Sequence, residues 1–342
     1  MTFITPQPTV VTKRRKAGTA DGVLHPALKH QRKAATMFSR ISKPIRISVV
    51  AALGAATLAL TACGGNGVAS STDGLDTIEP GKLKVAIQPY MPYTAMKDGQ
   101  MVGLDAEILQ AAAKKLNLTI EPQVTDFNGM LGGVQSRRVD ISIGGIAWTK
   151  ERANAGLFTD PPYYSPPAMA VQGDKEVKTL QDLTGKNLGT VTGYVWVKSI
   201  KAVPEAKLNS YPDANGLFAD VGSGRVDVGF VDPLLISYTQ AQRPDLGIQT
   251  KYLTPPTDEE VKKSPDLAYF QPYMTSFYVP KEAPKLEKAI SGVIREMYAN
   301  GELATLITKY GGDPDQYLKP SPSMASDRQG TDRPADWTAP SS

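Results

Sequence analysis

Histidine and cysteine, on which many catalytic triads and most transition-metal sites depend, are almost absent from this chain. The one cysteine is Cys63, and the two histidines, His25 and His30, both precede it. The chain after Cys63 therefore excludes a Ser-His-Asp triad, a Cys-His pair and the usual zinc sites, which need imidazole or thiolate groups. Carboxylate chemistry remains open, as does a calcium site of carboxylate and carbonyl oxygens, although no EF-hand spacing occurs.

Two charged residues stand where helices are predicted to begin. Arg152 follows Thr149 closely, and Asp232 directly precedes Pro233. Taken alone, Arg152 fits a surface arginine at a helix start, and Asp232 fits a helix N-cap. Residue type and position by themselves therefore favour structural roles for both.

The elements that would position these residues alternate between strand and helix patterns, which predicts an α/β fold. Apolar alternation predicts strands at 83–87, 119–124, 139–143, 187–191 and 226–231. Apolar residues at helical spacing predict helices at 105–116, 130–135, 195–203 and 217–222, after Pro233, and at 286–299 and 303–310. We expect Asp105 to cap the first helix, and we interpret Asp140 and Asp227 as structural acids at strand ends.

The region before Cys63 has the pattern of a secretory signal. Three basic residues after Met37 precede a mostly apolar run at 47–60, which is shorter than the ~20 residues that span a bilayer. The run ends in Leu60-Thr61-Ala62-Cys63, which resembles a bacterial lipobox. We therefore predict a leader at 1–62 and a lipid anchor on Cys63, with either translation starting at Met37 or residues 1–36 forming a dispensable extension. An uncleaved membrane anchor is the alternative.

The positive net charge of the chain comes from this leader. Residues 1–62 contain ten of the 38 Lys and Arg residues and one of the 34 acidic residues, which leaves 28 basic and 33 acidic residues and a net charge of −5. A nucleic-acid partner is therefore not expected, because phosphate binding needs a basic surface. We predict a flexible tether at 63–77 and a disordered tail at 319–342, where small and polar residues prevail.

The body between these ends resembles family 3 of the bacterial extracellular solute-binding proteins, the polar-amino-acid binders of ABC importers. The resemblance runs from Leu83 to about Gly311, and its motifs occur in the family's order. They are Leu83-Lys84-Val85-Ala86-Ile87, Tyr90 with Pro92-Tyr93, Val102-Gly103-Leu104-Asp105, Asp126-Phe127, Asp140, Thr149-Lys150-Glu151-Arg152, Phe158-Thr159-Asp160-Pro161-Pro162-Tyr163-Tyr164, Asp182-Leu183-Thr184-Gly185-Lys186, Gly224-Arg225-Val226-Asp227 and Asn300-Gly301-Glu302-Leu303. Each motif is weak alone, whereas the ordered set is specific.

The resemblance implies a two-lobe, type II periplasmic-binding-protein-like fold with a ligand cleft between hinged lobes. Lobe 1 would comprise residues 78–167 and 271–318, and lobe 2 residues 168–270. The chain would cross between the lobes at 163–169 and 270–276. Closure of the lobes over a ligand would then present a surface to a membrane permease.

The resemblance also assigns roles in the cleft. Arg152 matches the arginine that binds the ligand carboxylate, for which a planar guanidinium is suited. Asp232 matches the acid of the second lobe that takes the ammonium group. We expect hydrogen bonds from the backbone of Gly145 and Ala147. Tyr90 is expected to stack on the ligand, and Phe127 to form an apolar wall.

The sequence departs from the family pattern in the second lobe. Its Gly-Ser/Thr-Thr motif is here Gly193-Tyr194-Val195, so hydroxyl contacts to a carboxylate are lost while backbone N–H groups remain. Trp148, Tyr194 and Trp196 could make the cleft aromatic and suited to a bulky, apolar or N-alkylated ligand, or the tryptophans could pack beneath the site. Ile87 and Gln88 stand where cation-selective members carry an acid, which disfavours lysine or arginine as the ligand.

These features predict a monomeric, lipid-anchored, extracytoplasmic binding protein that captures an amino-acid-like solute for an ABC permease and its ATPase. We expect no catalytic residue, metal or cofactor. One alternative is an enzyme, since some proteins of this fold are dehydratases that use a cleft carboxylate. The other alternative is a ligand sensor for a membrane receptor, which would use the same cleft.

Overall fold

The structure is a computed structural model, described here over residues 74–321 and 323–342. The leader at 1–62, the lipid anchor on Cys63 and most of the tether therefore lie outside the described residues. At the end of the tether, Asp76 accepts hydrogen bonds from the Arg137 guanidinium and the Lys285 backbone N–H. No helix within the described ranges is long and apolar enough to cross a membrane.

Strands and helices alternate along the chain. The first half contains β1 (Lys82–Ile87), β2 (Ala95–Lys97), β3 (Gln100–Val102), α1 (Leu104–Lys115), β4 (Thr119–Val124), α2 (Phe127–Gln135), β5 (Ile141–Ser142), α3 (Lys150–Ala153), β6 (Leu157–Phe158), β7 (Tyr163–Ser165) and β8 (Ala168–Gln172). The second half contains β9 (Asn187–Val191), α4 (Trp196–Ala202), β10 (Lys207–Tyr211), α5 (Ala214–Gly222), β11 (Val228–Phe230), α6 (Pro233–Gln242), β12 (Ile248–Tyr252), α7 (Asp258–Lys263), β13 (Tyr273–Thr275), β14 (Tyr278–Val279), α8 (Pro284–Ala299), α9 (Glu302–Lys309), α10 (Pro314–Tyr317) and α11 (Met324–Arg328). The predicted α/β class is confirmed.

Two five-stranded sheets form the framework. The first sheet has the order β4-β1-β5-β14-β6, with β1 parallel to β4 and β5, and β14 antiparallel to its neighbours. The second sheet has the order β10-β9-β11-β8-β12, with β9 parallel to β10 and β11. The first sheet needs two distant parts of the chain, because β14 comes from residues 278–279.

Two short strands join the parts of the chain that build these sheets. β7 and β13 pair antiparallel, with Met274 opposite Tyr164, and lie within the two segments predicted as crossings. The chain enters the second sheet through β8 directly after β7, and it returns to the first sheet through β13 and β14. The lobe limits inferred from the resemblance, 78–167 with 271–318 and 168–270, stay a prediction.

The start of α1 differs from the prediction that Asp105 caps it. Gly103 occupies the N-cap position, and Asp105 lies inside the first turn with its side chain fully buried. Its carboxylate accepts hydrogen bonds from the backbone N–H groups of Gly144 and Gly145 and from the Tyr163 hydroxyl. A carboxylate committed to this distant turn cannot also bond the N–H groups of its own helix end.

The C-terminal residues also differ from their prediction. Residues 323–342 were expected to be disordered, yet they include α11, and within them Arg328 is fully buried and Trp337 is 8% exposed. The segment has few apolar residues, so composition alone predicts disorder. Its order comes from specific contacts of arginine and tryptophan side chains with the first sheet's half of the molecule.

Gly103 is predicted to be essential for folding because of its backbone conformation. Its φ is 118°, and a Cβ there would lie 2.3 Å from the Tyr93 carbonyl oxygen. Gly103→Ala should therefore lower the free energy of unfolding by about 3 kcal/mol or more, measured by urea denaturation. Gly132→Ala in α2 is the control, because a Cβ there meets no atom within 4 Å, and it should be neutral or stabilise by up to about 1 kcal/mol. Equal effects of the two changes would contradict this account.

Candidate functional site

Asp232 is a buried carboxylate between β11 and α6. It stands at the N-cap position of α6, but its side chain makes no capping hydrogen bond. Instead it accepts hydrogen bonds from the hydroxyl groups of Tyr90, at 2.6 Å, and Tyr273. Burial is the main cause that raises the pKa of Asp232 to about 6, while the two tyrosine hydroxyls act in the opposite direction. The structure therefore favours a role beyond capping.

The turn at Gly144 and Gly145 brings backbone groups close to this carboxylate. Asp105 holds the turn by accepting from both N–H groups at 2.9 Å. Gly145 has φ 68°, and a Cβ there would lie 3.1 Å from Oδ2 of Asp232. Burial raises the pKa of Asp105 to about 6 as well, against the effect of its hydrogen bonds. Two acids with raised pKa values thus lie on either side of one glycine turn.

Arg152 extends from the short helix α3 towards the opposite half of the molecule. The Thr149 hydroxyl caps this helix by accepting from the Arg152 backbone N–H. The guanidinium donates to the carbonyl oxygens of Ala147, at 2.8 Å, and Gly193, at 3.0 Å, and it lies 5.1 Å from the centre of the Phe127 ring. Burial lowers the pKa of Arg152 to about 10.

Neither of these charged groups has a counter-charge within the part of the chain that the structure describes. No carboxylate there lies within 4.0 Å of the Arg152 guanidinium, and no cation lies that close to Asp232. Both groups border the same cavity. Asp232 is buried and Arg152 is half-buried. A charge that is removed from water without a partner is costly, so this arrangement suits a molecule that carries both opposite charges.

The cavity between them is small, and four of its nine lining residues are aromatic. It has a volume of about 10 Å³, which is room for about one water molecule. Its lining consists of Phe127, Gly145, Ala147, Arg152, Tyr194, Val195, Trp196, Asp232 and Tyr273. A solute larger than water needs more space, so it can enter only if the walls of the cavity separate.

Aromatic contacts across the cavity account for its small size. The Tyr194 ring lies 4.8 Å from that of Phe127 and 6.0 Å from that of Tyr90, and its hydroxyl accepts from the Gln88 amide at 2.8 Å. Trp196 packs edge-on against Tyr273 at 5.7 Å. The buried indole N–H of Trp196 has no acceptor among the described residues, so this donor is available to a bound molecule.

The structure brings most, but not all, of the predicted site residues together. Arg152, Asp232, Phe127, Gly145, Ala147, Tyr194, Val195 and Trp196 border the cavity. Tyr90 lies beside it and uses its hydroxyl to bond Asp232. Trp148 does not border it: its backbone N–H donates to the Met274 carbonyl oxygen and its indole N–H to Asp332.

Two residues of the site were missed by the sequence interpretation. Tyr273 lies 41 positions beyond Asp232 and meets it only through pairing of β7 and β13. Asp105 supports the Gly145 turn from 40 positions away. The only sequence signal for either was membership of a matched segment. Within the described ranges, no group of three or more His, Cys, Asp or Glu side chains could hold a metal ion.

Comparison with known proteins gives consistent similarities. The model of the bacterial extracellular solute-binding proteins, family 3, matches residues 83–313. The probable amino-acid-binding protein YxeM of Bacillus subtilis is 28% identical over 260 residues, which cover 75% of this chain and 92% of that protein. The arginine-binding extracellular protein ArtP of Bacillus subtilis is 27% identical, covering 74% of this chain and 93% of that protein.

A solved structure has the same architecture. The substrate-binding protein AbpA of an amino acid ABC transporter from Streptococcus pneumoniae, bound to L-arginine, aligns with a TM-score of 0.59 and 25% identity, covering 67% of this chain and 94% of that one. Proteins of this kind have two lobes, which confirms the predicted two-lobe α/β fold class.

Asp232→Asn should increase the stability of the protein at neutral pH. The pKa of this acid is raised from 3.8 to about 6 on folding. The stability that the carboxyl group contributes to the folded state is therefore fully present below pH 3.8 and is lost as the pH rises through 6. The free energy of unfolding of Asp232→Asn should exceed that of the unaltered protein by up to about 3 kcal/mol at pH 7, and the difference should vanish near pH 3.8. Urea denaturation between pH 3.5 and 7.5 measures this.

A non-titrating change provides the control for this profile. Asn215→Ala on the exposed face of α5 should give a difference from the unaltered protein that does not vary with pH. If the difference in the free energy of unfolding between Asp232→Asn and the unaltered protein were also independent of pH, the raised pKa of Asp232 would be contradicted.

Proposed function

This chain belongs to the bacterial extracellular solute-binding proteins, family 3, and we propose that it captures a free α-amino acid between Arg152 and Asp232. The observation that carries the proposal is that these two groups border one cavity without a counter-charge among the described residues. An α-amino acid supplies both missing charges at once. The ligand carboxylate would accept from the guanidinium of Arg152, and the ligand ammonium would donate to Asp232.

Arg152 and Asp232 come from different halves of the molecule, which supports closure around such a ligand. Arg152 belongs to the half of the molecule that contains the first sheet, whereas Asp232 follows β11 of the second sheet. A zwitterion held by both therefore links the two halves and stabilises the closed arrangement over an open one. The direct bonds Tyr90–Asp232 and Gln88–Tyr194 already connect these halves, so the ligand would have to displace or adjust them.

The lining supports an amino acid with an uncharged side chain. Asp232 is the only acid among the described residues that border the cavity, and the ligand ammonium would occupy it. A lysine or arginine ligand would need a further acid for its side chain, although ArtP is named an arginine-binding protein and the AbpA structure is bound to L-arginine. The rings of Phe127, Tyr194 and Trp196 instead offer an apolar or aromatic side chain large contact surfaces.

We further propose that the protein binds its ligand and does not convert it. It would act as a monomer outside the cytoplasm, held on the membrane by a lipid on Cys63, and deliver the amino acid to an ABC permease. A dehydratase would need a carboxylate aimed at the reacting bond, and Asp232 is already bonded by two tyrosine hydroxyls. Recovery of the bound compound unchanged, checked by mass spectrometry, separates binding from catalysis.

Arg152→Ala should abolish amino-acid capture while leaving the fold intact. A panel of the twenty proteinogenic L-amino acids is first screened with the unaltered protein by thermal unfolding, where 100-fold excess over Kd adds about 2.7 kcal/mol. Calorimetric titration of the strongest amino acid should then show binding weakened at least about 100-fold in Arg152→Ala, since one charge loses its partner.

A matched arginine on the same half of the molecule controls for general effects. Arg138→Ala removes an exposed guanidinium and should change the Kd of the same amino acid by less than about two-fold. Arg152→Lys should lie between these two results, because it keeps the charge but loses the planar fork. Failure of every panel amino acid to stabilise the unaltered protein would overturn the amino-acid proposal.

Cys63→Ser should release the protein from the membrane. A lipid on Cys63 would hold the mature chain at the membrane surface, and serine offers no thiol for the thioether bond. Fractionation of cells that express the full chain should place the unaltered protein with the membranes and the Cys63→Ser variant with the soluble or secreted material. Equal membrane association of both would contradict lipid anchoring at this residue.

A further inference from the structure

The C-terminal segment 323–342 packs against the half of the molecule that carries Arg152. It lies beyond the region that matches the family model, which ends at residue 313. Arg328, at the end of α11, is the largest fully buried side chain of the described residues. A guanidinium is buried at this depth only when nearly all of its donors find acceptors, so its surroundings are specific.

The Arg328 guanidinium has hydrogen-bond, ion-pair and cation–π partners. It donates to the carbonyl oxygens of Phe158, at 3.0 Å, and Thr159, at 2.9 Å. It also forms a two-point ion pair with Asp332, at 3.1 and 2.6 Å. The indole rings of Trp148 and Trp337 lie 5.9 Å and 5.2 Å from it, which adds two cation–π contacts.

Asp332 connects this arrangement to the ligand site. Its Oδ2 atom, which is paired with Arg328, also accepts from the indole N–H of Trp148 at 3.1 Å. Trp148 stands between Ala147, whose carbonyl oxygen accepts from Arg152, and Thr149, which caps the helix that carries Arg152. The segment thus contacts, at Trp148 and from outside the cavity, the loop 147–152, which runs into α3.

Other contacts hold the segment in place independently of Trp148. Arg333 pairs with Asp160 and Glu287, and the indole N–H of Trp337 donates to Asp160 at 3.0 Å. Tyr164, in the crossing strand β7, donates its hydroxyl proton to the Pro340 carbonyl oxygen. Met324 and Trp337 also pack against Tyr164 and Met274 of the two crossing strands, and Trp148 itself packs against this cluster.

We propose that Arg328 and Asp332 are positioning residues of the amino-acid site: through Trp148 they hold the loop 147–152, and with it the Arg152 guanidinium, in the geometry that receives the ligand carboxylate. The consequence for ligand affinity rests on the proposed function. The effect on the loop itself does not rest on the proposed function, because it follows from the contacts of Trp148 alone. A misplacement of about 1 Å is enough to weaken a site of this kind.

Hydrogen–deuterium exchange of the full chain without added ligand tests the positioning directly. The backbone N–H groups of Trp148, Arg152 and Ala153 are hydrogen-bonded within this region and report on the loop. Asp332→Ala should accelerate exchange of the amides at 148–153 by about 10-fold, while the amides of β9 remain unchanged. Arg295→Gln is the matched control, because it also removes an ion pair and a contact to the segment, at Thr338, without involving Trp148. It should leave the loop exchange within about two-fold.

A double-mutant cycle separates positioning from a general loss of stability. If Asp332 acts through the indole N–H of Trp148, then Asp332→Ala should add little further acceleration when Trp148 is already Phe. Acceleration that is equal in both backgrounds, or that appears equally in β9 and in Arg295→Gln, would overturn the proposal. So would an unchanged loop in Asp332→Ala or in a chain that ends at Lys319.

The affinity for the amino acid provides the second test of the proposal. With the amino acid selected from the panel of twenty, Asp332→Ala should raise the Kd by about 10-fold and Arg295→Gln by less than about two-fold. If no amino acid binds the unaltered protein, the proposed function fails and the exchange experiment still decides the positioning. If the loop loosens while the Kd of the selected amino acid stays constant, the role of the segment in binding is refuted.

Discussion

The free energy of two charges that lack a counter-charge among the described residues, the buried Asp232 and the half-buried Arg152, is the constraint that organises this molecule. Asp232 and Arg152 both have pKa values shifted by burial in the direction that disfavours their charged forms. Well-packed apolar residues at these positions would give a more stable chain, because desolvation of each charge costs several kcal/mol. The two groups are therefore understandable as a site that is completed by a molecule of opposite charges, and the rest of the fold supplies the free energy that tolerates them.

The aromatic residues around the cavity occupy the space of the site when no ligand is bound. A wide, apolar cleft would expose surface to water, whereas the rings of Phe127, Tyr194 and Trp196 pack into a cavity of about 10 Å³. The hydroxyls of Tyr90 and Tyr273 bond Asp232 and partly offset the cost of burying it. Ligand binding in this view exchanges contacts between the two halves for contacts with the ligand.

The half of the molecule that carries Arg152 has an additional support in the C-terminal segment. Arg328 and Asp332 form a buried ion pair whose carboxylate also bonds Trp148, next to the loop that orients Arg152. A long, flexible side chain such as arginine loses rotamer entropy when it is fixed. Fixing the surrounding loop in advance reduces the part of that cost that falls on ligand binding, which is the general advantage of a preorganised site.

The sequence by itself determined those features that depend on local pattern. Apolar alternation and helical periodicity located β1, β4, β9 and the amphipathic α8, because a strand or helix that buries one face must repeat apolar residues at its own period. Ordered motifs located Arg152 and Asp232 as a pair. The strand predicted at 139–143 exists as the shorter β5, whereas β14, of two residues, and β8, which is almost entirely buried, carry no such period and were not predicted.

Only the tertiary structure decided what the polar side chains bond. Asp105 looked like a helix cap and instead holds the Gly145 turn, while Tyr273 reaches Asp232 through strand pairing across the molecule. The C-terminal segment looked disordered by composition, yet Arg328 reaches the carbonyl oxygens of Phe158 and Thr159 and the indole ring of Trp148, which are all far away in the sequence. The physical reason is the same in each case: a hydrogen bond or ion pair is set by distance in space, and no period along the chain encodes which distant groups will meet.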